Sequence, residues 1–266
     1  MTCRITFTVF ALGICLLATG ARAQVFDEGF DGGTYITGSI GFGVLYGPEF
    51  EGGRHSELSP LPFFNLKYGP VFLSTSKGLG IKFDFLSGTL ELAPALNYRM
   101  RRDEDDSPLL KGLGDVDDAL TIGGTATLRL EDVFLSLKAF QGLSDQKGLE
   151  VEMQASYVNT LGDNLHWSLG AFTSLADTHY LNTYFGITGE QSLRSGYPVY
   201  TLDSGFKDVG FGGAIDYYLS PSFSVDLFAR YRYLIGDAAD SPIVQRGSEG
   251  GVQAGLVLFY HFGPHY

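Results

Sequence analysis

Two segments near the end of the chain alternate almost perfectly between apolar and polar residues. In residues 223–233 every second residue is apolar, and the residues between them include Asp226, Arg230 and Arg232. Residues 252–262 repeat the pattern and end in aromatic residues. Because successive side chains of a strand point to opposite faces, each segment predicts a strand with one apolar and one polar face. Such strands are typical of a barrel with lipid outside and a polar lumen inside.

Residues 1–23 have the pattern of a secretory signal peptide. Arg4 supplies a positive charge, residues 5–18 form a mostly apolar run, and Ala21-Arg22-Ala23 is an A-x-A cleavage site. The apolar run is shorter than the roughly 20 residues that a transmembrane helix needs. We therefore expect export and cleavage before Gln24.

The composition excludes several classes of protein. Cys3 and Cys15 both lie in the predicted signal peptide, so a mature chain would have no disulfide, thiol nucleophile or cysteine metal site. Without residues 1–23, 16 basic residues remain against 30 acidic ones, a net charge of −14, which argues against nucleic-acid binding. The 36 glycines are roughly double the usual share. Together with the many Phe and Tyr residues, they favour an all-β protein.

Short turns and long loops alternate along the remaining chain. Tight turns are predicted at Gly69-Pro70, Glu131-Asp132, Gly162-Asp163 and Ser220-Pro221, and long loops at 101–119, in the roughly thirty residues before Gly210, and at 236–250. This alternation predicts a transmembrane antiparallel up-and-down β-barrel of about twelve strands in residues 35–266, with ten strands as the alternative. Residues 24–34 would be a periplasmic N-terminal segment. The second strand is predicted at Leu61–Tyr68 and the tenth at Gly210–Leu219.

Charged residues on the predicted inner face are the first candidate functional residues. They are Glu91, Arg99, Arg129, Lys138, Glu150, Glu152, Asp216, Asp226, Arg230 and Arg232. They could line a weakly selective channel, or they could fill a small barrel with ion pairs. Under either interpretation, removing one member of a buried pair would be costly.

An acidic loop and the histidines were weighed as metal and catalytic sites. The loop acids are Asp103, Glu104, Asp105, Asp106, Asp115, Asp117 and Asp118. They lack the glycine-bearing register of a calcium loop, so we expect a solvated loop with no metal, although cation bridges to lipopolysaccharide phosphates are a hypothesis. The histidines, such as His55 and His179, accompany no G-x-S-x-G signature. We therefore expect no catalytic residues and no cofactor.

The loop before the last strand is the other candidate site. Its residues are Asp237, Asp240, Ser241, Pro242, Ile243 and Val244. The acids and the apolar Ile-Val pair would suit a binding surface. The same residues could instead fold inward and close the barrel mouth, and one loop could do both.

This loop also belongs to a family resemblance. Residues 236–244 (Gly-Asp-Ala-Ala-Asp-Ser-Pro-Ile-Val), 184–188 with Gln191-Ser192, 207–210, 60–64 and 114–117 are similar to segments of the MipA/OmpV family. The resemblance covers the whole mature chain. The chain departs from the pattern in continuing past Phe262 to Tyr266, and in its acidic run 103–106.

The resemblance implies an outer-membrane protein in contact with lipid and lipopolysaccharide, without known chemistry. The family's namesake is a scaffold that links a lytic transglycosylase and a penicillin-binding protein. We therefore expect a non-enzymatic scaffold for peptidoglycan-remodelling enzymes in the outer membrane of a Gram-negative cell. The alternatives are a narrow pore or a permeability protein linked to stress or osmolarity, and, third, an outer-membrane hydrolase.

Overall fold

The computed structural model describes residues 35–143 and 148–263. Within them the strands form one closed antiparallel sheet. Their bounds are β1 Thr37–Pro48, β2 Ser56–Tyr68, β3 Val71–Ser74, β4 Gly78–Ile81, β5 Phe83–Phe85, β6 Leu90–Arg99, β7 Ala119–Leu130, β8 Val133–Gly142, β9 Leu149–Leu161, β10 Leu165–Ala176, β11 Gly205–Ser220, β12 Phe223–Leu234 and β13 Gly250–Phe262. The predicted signal peptide, the segment 24–34 and the terminal residues Pro264–Tyr266 lie outside the described residues, so the predictions for them remain predictions.

Two of these segments share one position in the barrel wall. β4 and β5 are consecutive and both pair with β6, so together they form one strand. Pro94 of β6 lies opposite the interruption between them. The Arg129 amide of β7 donates to the carbonyl of Thr89, just before β6, so the odd-numbered residues of β6 direct their backbone groups toward β7. The even-numbered residues, including Pro94, direct theirs toward β4 and β5. Proline has no N–H to donate to a strand on that side. The barrel therefore has twelve strands, and this prediction is confirmed.

The outer face of the barrel is apolar. In β1, for example, Ile40, Phe42 and Val44 are exposed, whereas the intervening Leu45 is buried. This alternation places the apolar side chains where lipid would surround them. Short turns join the strands at one end of the barrel, here called the turn end, and long segments join them at the other, the loop end.

The inner face differs from the predicted polar lumen along one wall. Leu45, Leu61, Phe63, Ala214, Phe228, Val257 and Phe259 form a buried apolar cluster inside the barrel. The rings of Phe63 and Phe259 meet edge to face with centroids 6.1 Å apart. Apolar packing thus fills part of the lumen.

Two strands extend further than the sequence predicted. β2 begins at Ser56 rather than at Leu61, and it includes Pro60 and Pro62. β11 begins at Gly205 rather than at Gly210. Both extensions lie at the loop end, where they support the functional residues.

Short helices occupy the loops at the loop end, where the sequence predicted no regular structure. They are the 3₁₀-helix Pro108–Leu110 and the helices α1 Thr178–Phe185, α2 Gly189–Ser195, α3 Gly236–Ala239 and α4 Pro242–Arg246. Asp177 caps α1 by accepting a bond from the Tyr180 amide, and Thr188 and Gln191 form a capping box at the start of α2. We call these helices together the lid. None of the described helices is long and apolar enough to cross a membrane.

Candidate functional site

A β-bulge at the loop end turns a lysine into the barrel. Ser174 pairs with Asp208, but the next residue, Leu175, pairs with Phe206. Lys207 is therefore an extra residue in β11, and a bulge of this kind re-aims side chains. Lys207 and Asp208 both point inward, and each side chain is 0 % exposed.

Lys207 is the centre of a network of ion pairs. Its Nζ lies 3.0 Å from Glu51, 2.5 Å from Glu150 and 3.4 Å from Asp208. Arg232 contacts Glu51 and lies 3.4 Å from Asp208. Burying a charge costs free energy, and the attraction of a partner offsets this cost only when the geometry is good. Loss of any one of these charges would therefore leave a buried partner uncompensated and would destabilise the barrel.

Two contacts of Arg230 extend this network along the inner face of β9 to β12. Arg230 of β12 donates to Glu152 of β9 at 3.0 Å. Its guanidinium also lies 3.8 Å from the ring centroid of Phe172, a favourable cation–π geometry. These contacts join β9, β10 and β12, which lie within four consecutive strands of the barrel wall.

A cavity lies beside this network, toward β6 to β8. Arg99, Lys138, Phe140 and Tyr180 line it, together with Asn97 and Tyr98. Arg99 donates to the Gly148 carbonyl at 3.4 Å, and Lys138 donates to the Ser76 carbonyl at 3.2 Å. Among the described residues, neither cation has a carboxylate within ion-pair distance, which distinguishes them from the other lysines and arginines of the lumen.

Glu91 lies nearer the turn end and is paired by two cations. Its side chain is 1 % exposed, and it lies 2.5 Å from Arg129 and 3.5 Å from Lys77. This pairing neutralises a carboxylate that would otherwise be very costly to bury.

Asp216 and Asp226 face each other in neighbouring strands near the turn end. They are direct partners in the register of β11 and β12, and both are buried. Ser224 donates to Asp226 at 2.7 Å and also lies 2.9 Å from Nε2 of His261. In the described part of the chain, no lysine or arginine reaches either carboxylate. The two acids would therefore repel each other when both are ionised.

The loop that contains Asp237 to Val244 is folded over the barrel mouth. Ile243 and Val244 are buried in the apolar clusters of the lid, and Ser241 donates to the Phe185 carbonyl at 2.7 Å. Pro242 begins α4, where its fixed φ suits the first helical position. Asp237 and Asp240 remain at the surface of the lid, so the loop combines an inward apolar side with an outward acidic one.

The acidic loop holds the rest of the lid in place through its own contacts. Glu104 accepts bonds from the Gly112 and Gly114 amides, and Arg102 donates to the Tyr184 carbonyl at 2.7 Å. Burial lowers the pKa of Arg102 to about 10, and burial raises the pKa of Asp106. No group of acids or histidines suited to a metal occurs among the described residues.

Two histidines at the loop end each lie beside a carboxylate, and His55 is 3.6 Å from Glu49. His179 lies 4.0 Å from Asp177, and both are partly or fully exposed. The nearby Thr183 hydroxyl donates to the His179 carbonyl rather than to its ring. A nucleophile, a base and an orienting group in hydrogen-bond contact are what nucleophilic catalysis requires.

Sequence reasoning placed ten charges inside the barrel but missed Lys207, Asp208 and Glu51. Lys207 and Asp208 are adjacent and both point inward, which breaks the alternation on which the prediction depended. Glu51 belongs to the loop after β1 and carries no strand pattern. Two adjacent opposite charges next to the glycine-rich start of β11 were the available signal for a bulge.

The chain matches one known protein family and is similar to several solved barrel structures. The family model described as MltA-interacting protein MipA matches residues 40–262. No curated protein sequence matches the chain. Among solved structures, the chain is similar to the CymD monoaromatic hydrocarbon channel (10 % identity, 87 % of this chain and 89 % of that chain, TM-score 0.41) and to an outer membrane channel from Pseudomonas putida F1 (15 % identity, 89 % and 99 %, TM-score 0.40). Because the family model spans most of the sequence, the chain belongs to the MipA family of outer-membrane β-barrel proteins.

Proposed function

We propose that this barrel is a non-enzymatic anchor that holds a peptidoglycan-remodelling enzyme at the inner side of the outer membrane. The family description, MltA-interacting protein, supports a lytic transglycosylase as the partner. A penicillin-binding protein is the second partner in this proposal, as the family resemblance implies.

The observation that carries the proposal is the filled interior of the barrel. Lys207 and Arg230 bind carboxylates of β9 inside the barrel, the apolar cluster around Phe63 occupies one wall, and the lid covers the loop end. These features weigh against a wide aqueous pore. A function at the surface of the barrel then explains the fold better than transport of water-soluble solutes through it.

The turn end is the surface that would meet a periplasmic enzyme. Its short turns carry the acids Glu131, Asp132 and Asp163. A standard interface buries about 800 Å² on each partner, which is more than these turns alone provide. The predicted periplasmic segment 24–34, with three further acids, would enlarge the same acidic surface. We therefore expect the partner to present a basic patch.

Charge reversal at the turn end tests this proposal. The variant Glu131→Lys/Asp132→Lys/Asp163→Lys should reduce capture of a purified lytic transglycosylase at least tenfold. The matched control reverses three acids at the loop end, Asp105→Lys/Glu190→Lys/Asp203→Lys, and should retain capture. Equal capture by the two triple variants would contradict a turn-end interface, and no capture by the parent barrel would contradict the scaffold itself.

A further inference from the structure

The barrel wall has an opening between β2 and β6. The hairpin of β3 and β4 is only four residues long on each side, and it pairs with β2 at Asn65–Tyr68 and with β6 at Ala95 and Leu96. Beyond the hairpin tip at 75–77, residues 56–63 of β2 and 97–99 of β6 have no ladder partner on that side within the described chain. We call this opening the window.

The window is about two strands wide. With strands spaced 4.7–4.9 Å apart, two missing strands leave β2 and β6 roughly 14 Å apart if the barrel keeps its curvature. The acidic loop closes the window at the loop end, where Ser107 donates to Glu49 at 2.6 Å. On the outer face, Leu58 and Tyr98 flank the window and are exposed, so it opens at the level of the apolar belt.

The β2 edge of the window is chemically adapted to the absence of a partner strand. The amide and carbonyl of Phe64 bond to Thr75 in the hairpin, so the even-numbered residues of β2 direct their backbone toward this side. Continuing along the edge, the next two such residues are Pro62 and Pro60, which have no N–H to leave unsatisfied. An unsatisfied amide facing lipid would cost several kcal/mol.

The β6 edge is adapted by a different device. The Tyr98 amide points toward the window, and it donates to the side chain of Asn97 at 2.8 Å. Asn97 also donates to the Ser76 carbonyl at the hairpin tip. With few free donors on either edge, addition of a β-strand from another chain is disfavoured. The window suits an apolar occupant instead.

A cavity with two cations lies directly behind the window. Asn97 and Tyr98 belong both to the window edge and to the cavity lining, and the Ser76 carbonyl that Lys138 contacts is part of the hairpin tip. Three lining carboxylates, Glu51, Glu150 and Glu152, are engaged by Lys207, Arg232 and Arg230. Arg99 and Lys138 contact carbonyl oxygens and the rings of Tyr180 and Phe140, and at longer range they share the charge of Glu150 with Lys207.

We propose that the window admits an anionic amphiphile from the outer leaflet of the membrane. Its carboxylate or phosphate head binds in the cavity near Arg99 and Lys138, and its hydrocarbon tail lies in the window between Pro60, Pro62 and Tyr98. Charge-assisted bonds from the buried Arg99 and the half-buried Lys138 would hold such a head strongly. This inference does not depend on the proposed scaffold role.

Cysteine labelling tests whether the window is open to lipid. With Cys3 and Cys15 replaced by serine, Asn97→Cys places a single thiol at the window, and Ser168→Cys places one inside the barrel on β10, which is paired on both sides. In nanodiscs, a bilayer-dissolved maleimide should label position 97 at least tenfold faster than position 168. A membrane-impermeant maleimide should show no such preference. Equal rates with the bilayer-dissolved reagent would overturn lateral access.

Ligand binding tests the chemical class of the occupant. Dodecyl phosphate, dodecanol and inorganic phosphate are titrated calorimetrically into the full-length barrel in phosphatidylcholine nanodiscs. Dodecyl phosphate should bind at least tenfold more tightly than either of the other two. The variant Arg99→Gln/Lys138→Gln should lose at least tenfold in affinity, whereas the matched surface variant Arg101→Gln/Lys111→Gln should bind as the parent does.

Each other outcome contradicts a stated part of the proposal. Equal affinity for dodecanol would show that the two cations do not select an anion. Equal affinity for inorganic phosphate would show a free-anion site reached from water rather than from lipid. If Arg99→Gln/Lys138→Gln fails to fold, shown by loss of its heat-modifiable gel mobility, the single variant Lys138→Gln replaces it, and unchanged affinity there would overturn the site.

Discussion

Lys207 is the residue on which the buried network most depends. It contacts three carboxylates and is fully buried. In Lys207→Met the side-chain volume is nearly kept, but these carboxylates lose their common cation. Removing one partner of a buried ion pair costs about 3–5 kcal/mol, and we expect a loss of that size in the free energy of unfolding, measured by urea titration in lipid vesicles. Lys111→Met, in an exposed pair, should change it by less than about 0.5 kcal/mol. A similar effect of both variants would contradict the central role of Lys207.

At the facing acids Asp216 and Asp226, we expect a substitution to raise the free energy of unfolding, whereas Lys207→Met should lower it. Two buried carboxylates without a cation repel each other, and an amide at one position could donate a hydrogen bond to the other. We expect Asp216→Asn to raise the free energy of unfolding by about 1 kcal/mol. Ser224→Ala removes the hydroxyl that donates to Asp226 and should lower it by a similar amount. A destabilised Asp216→Asn would indicate that an unseen cation or proton already relieves the repulsion.

At the scale of single elements, α2 is held in the lid mainly by its caps. Thr188 and Gln191 form the capping box, and Gln191 also donates to the Leu113 carbonyl at 2.6 Å. Thr188→Ala should cost about 1 kcal/mol of local stability. Amide hydrogen exchange in residues 189–195 should therefore become roughly five times faster, while strand amides keep their rates. Leu193→Ala, a change at an exposed side chain, is the control, and equal acceleration by it would contradict the capping argument.

Strands whose two faces differ clearly were predictable from the sequence. In β12 the outward residues are apolar and the inward ones include Asp226 and Arg230, so periodicity alone gave its bounds. β2 was predicted to start five residues late because the segment before Leu61 is rich in glycine, proline and glutamate and was interpreted as a loop. Pro60 and Pro62 are accommodated because they face the window, where no strand needs their amides. That reason is invisible without the short hairpin of β3 and β4.

The lid and the centre of the ion network were beyond sequence reasoning. The helices of the lid are at most eight residues long, too short to show a helical period, and tertiary packing rather than propensity stabilises them. Predicting that Lys207 points inward required knowledge of the β-bulge, and the bulge depends on the pairing of β10 with β11. Arg230 lies in a regular strand, so its inward direction followed from alternation alone.

For the whole molecule, the two ends of the barrel have different characters. The loop end is covered by the lid and backed by the ion network, whereas in the described part of the chain the turn end consists of tight turns. The lumen between them is interrupted by the pair of Arg230 with Glu152 and by the apolar cluster around Phe228. Ions would have to break buried pairs or cross an apolar wall, and either step is costly.

We therefore expect the parent barrel to show no steady ion conductance in planar lipid bilayers. Arg230→Gln/Arg232→Gln removes two cations from the network and leaves Glu152 and Asp208 poorly compensated, so water and cations should enter and brief conductance steps should appear. The control is Arg246→Gln, which removes an arginine that stacks on Tyr197 in the lid. If the network rather than the lid surface closes the lumen, this variant should show no conductance. A steady conductance in the parent barrel would contradict the closed lumen. It would favour the narrow-pore alternative, in which the same two arginines would set ion selectivity.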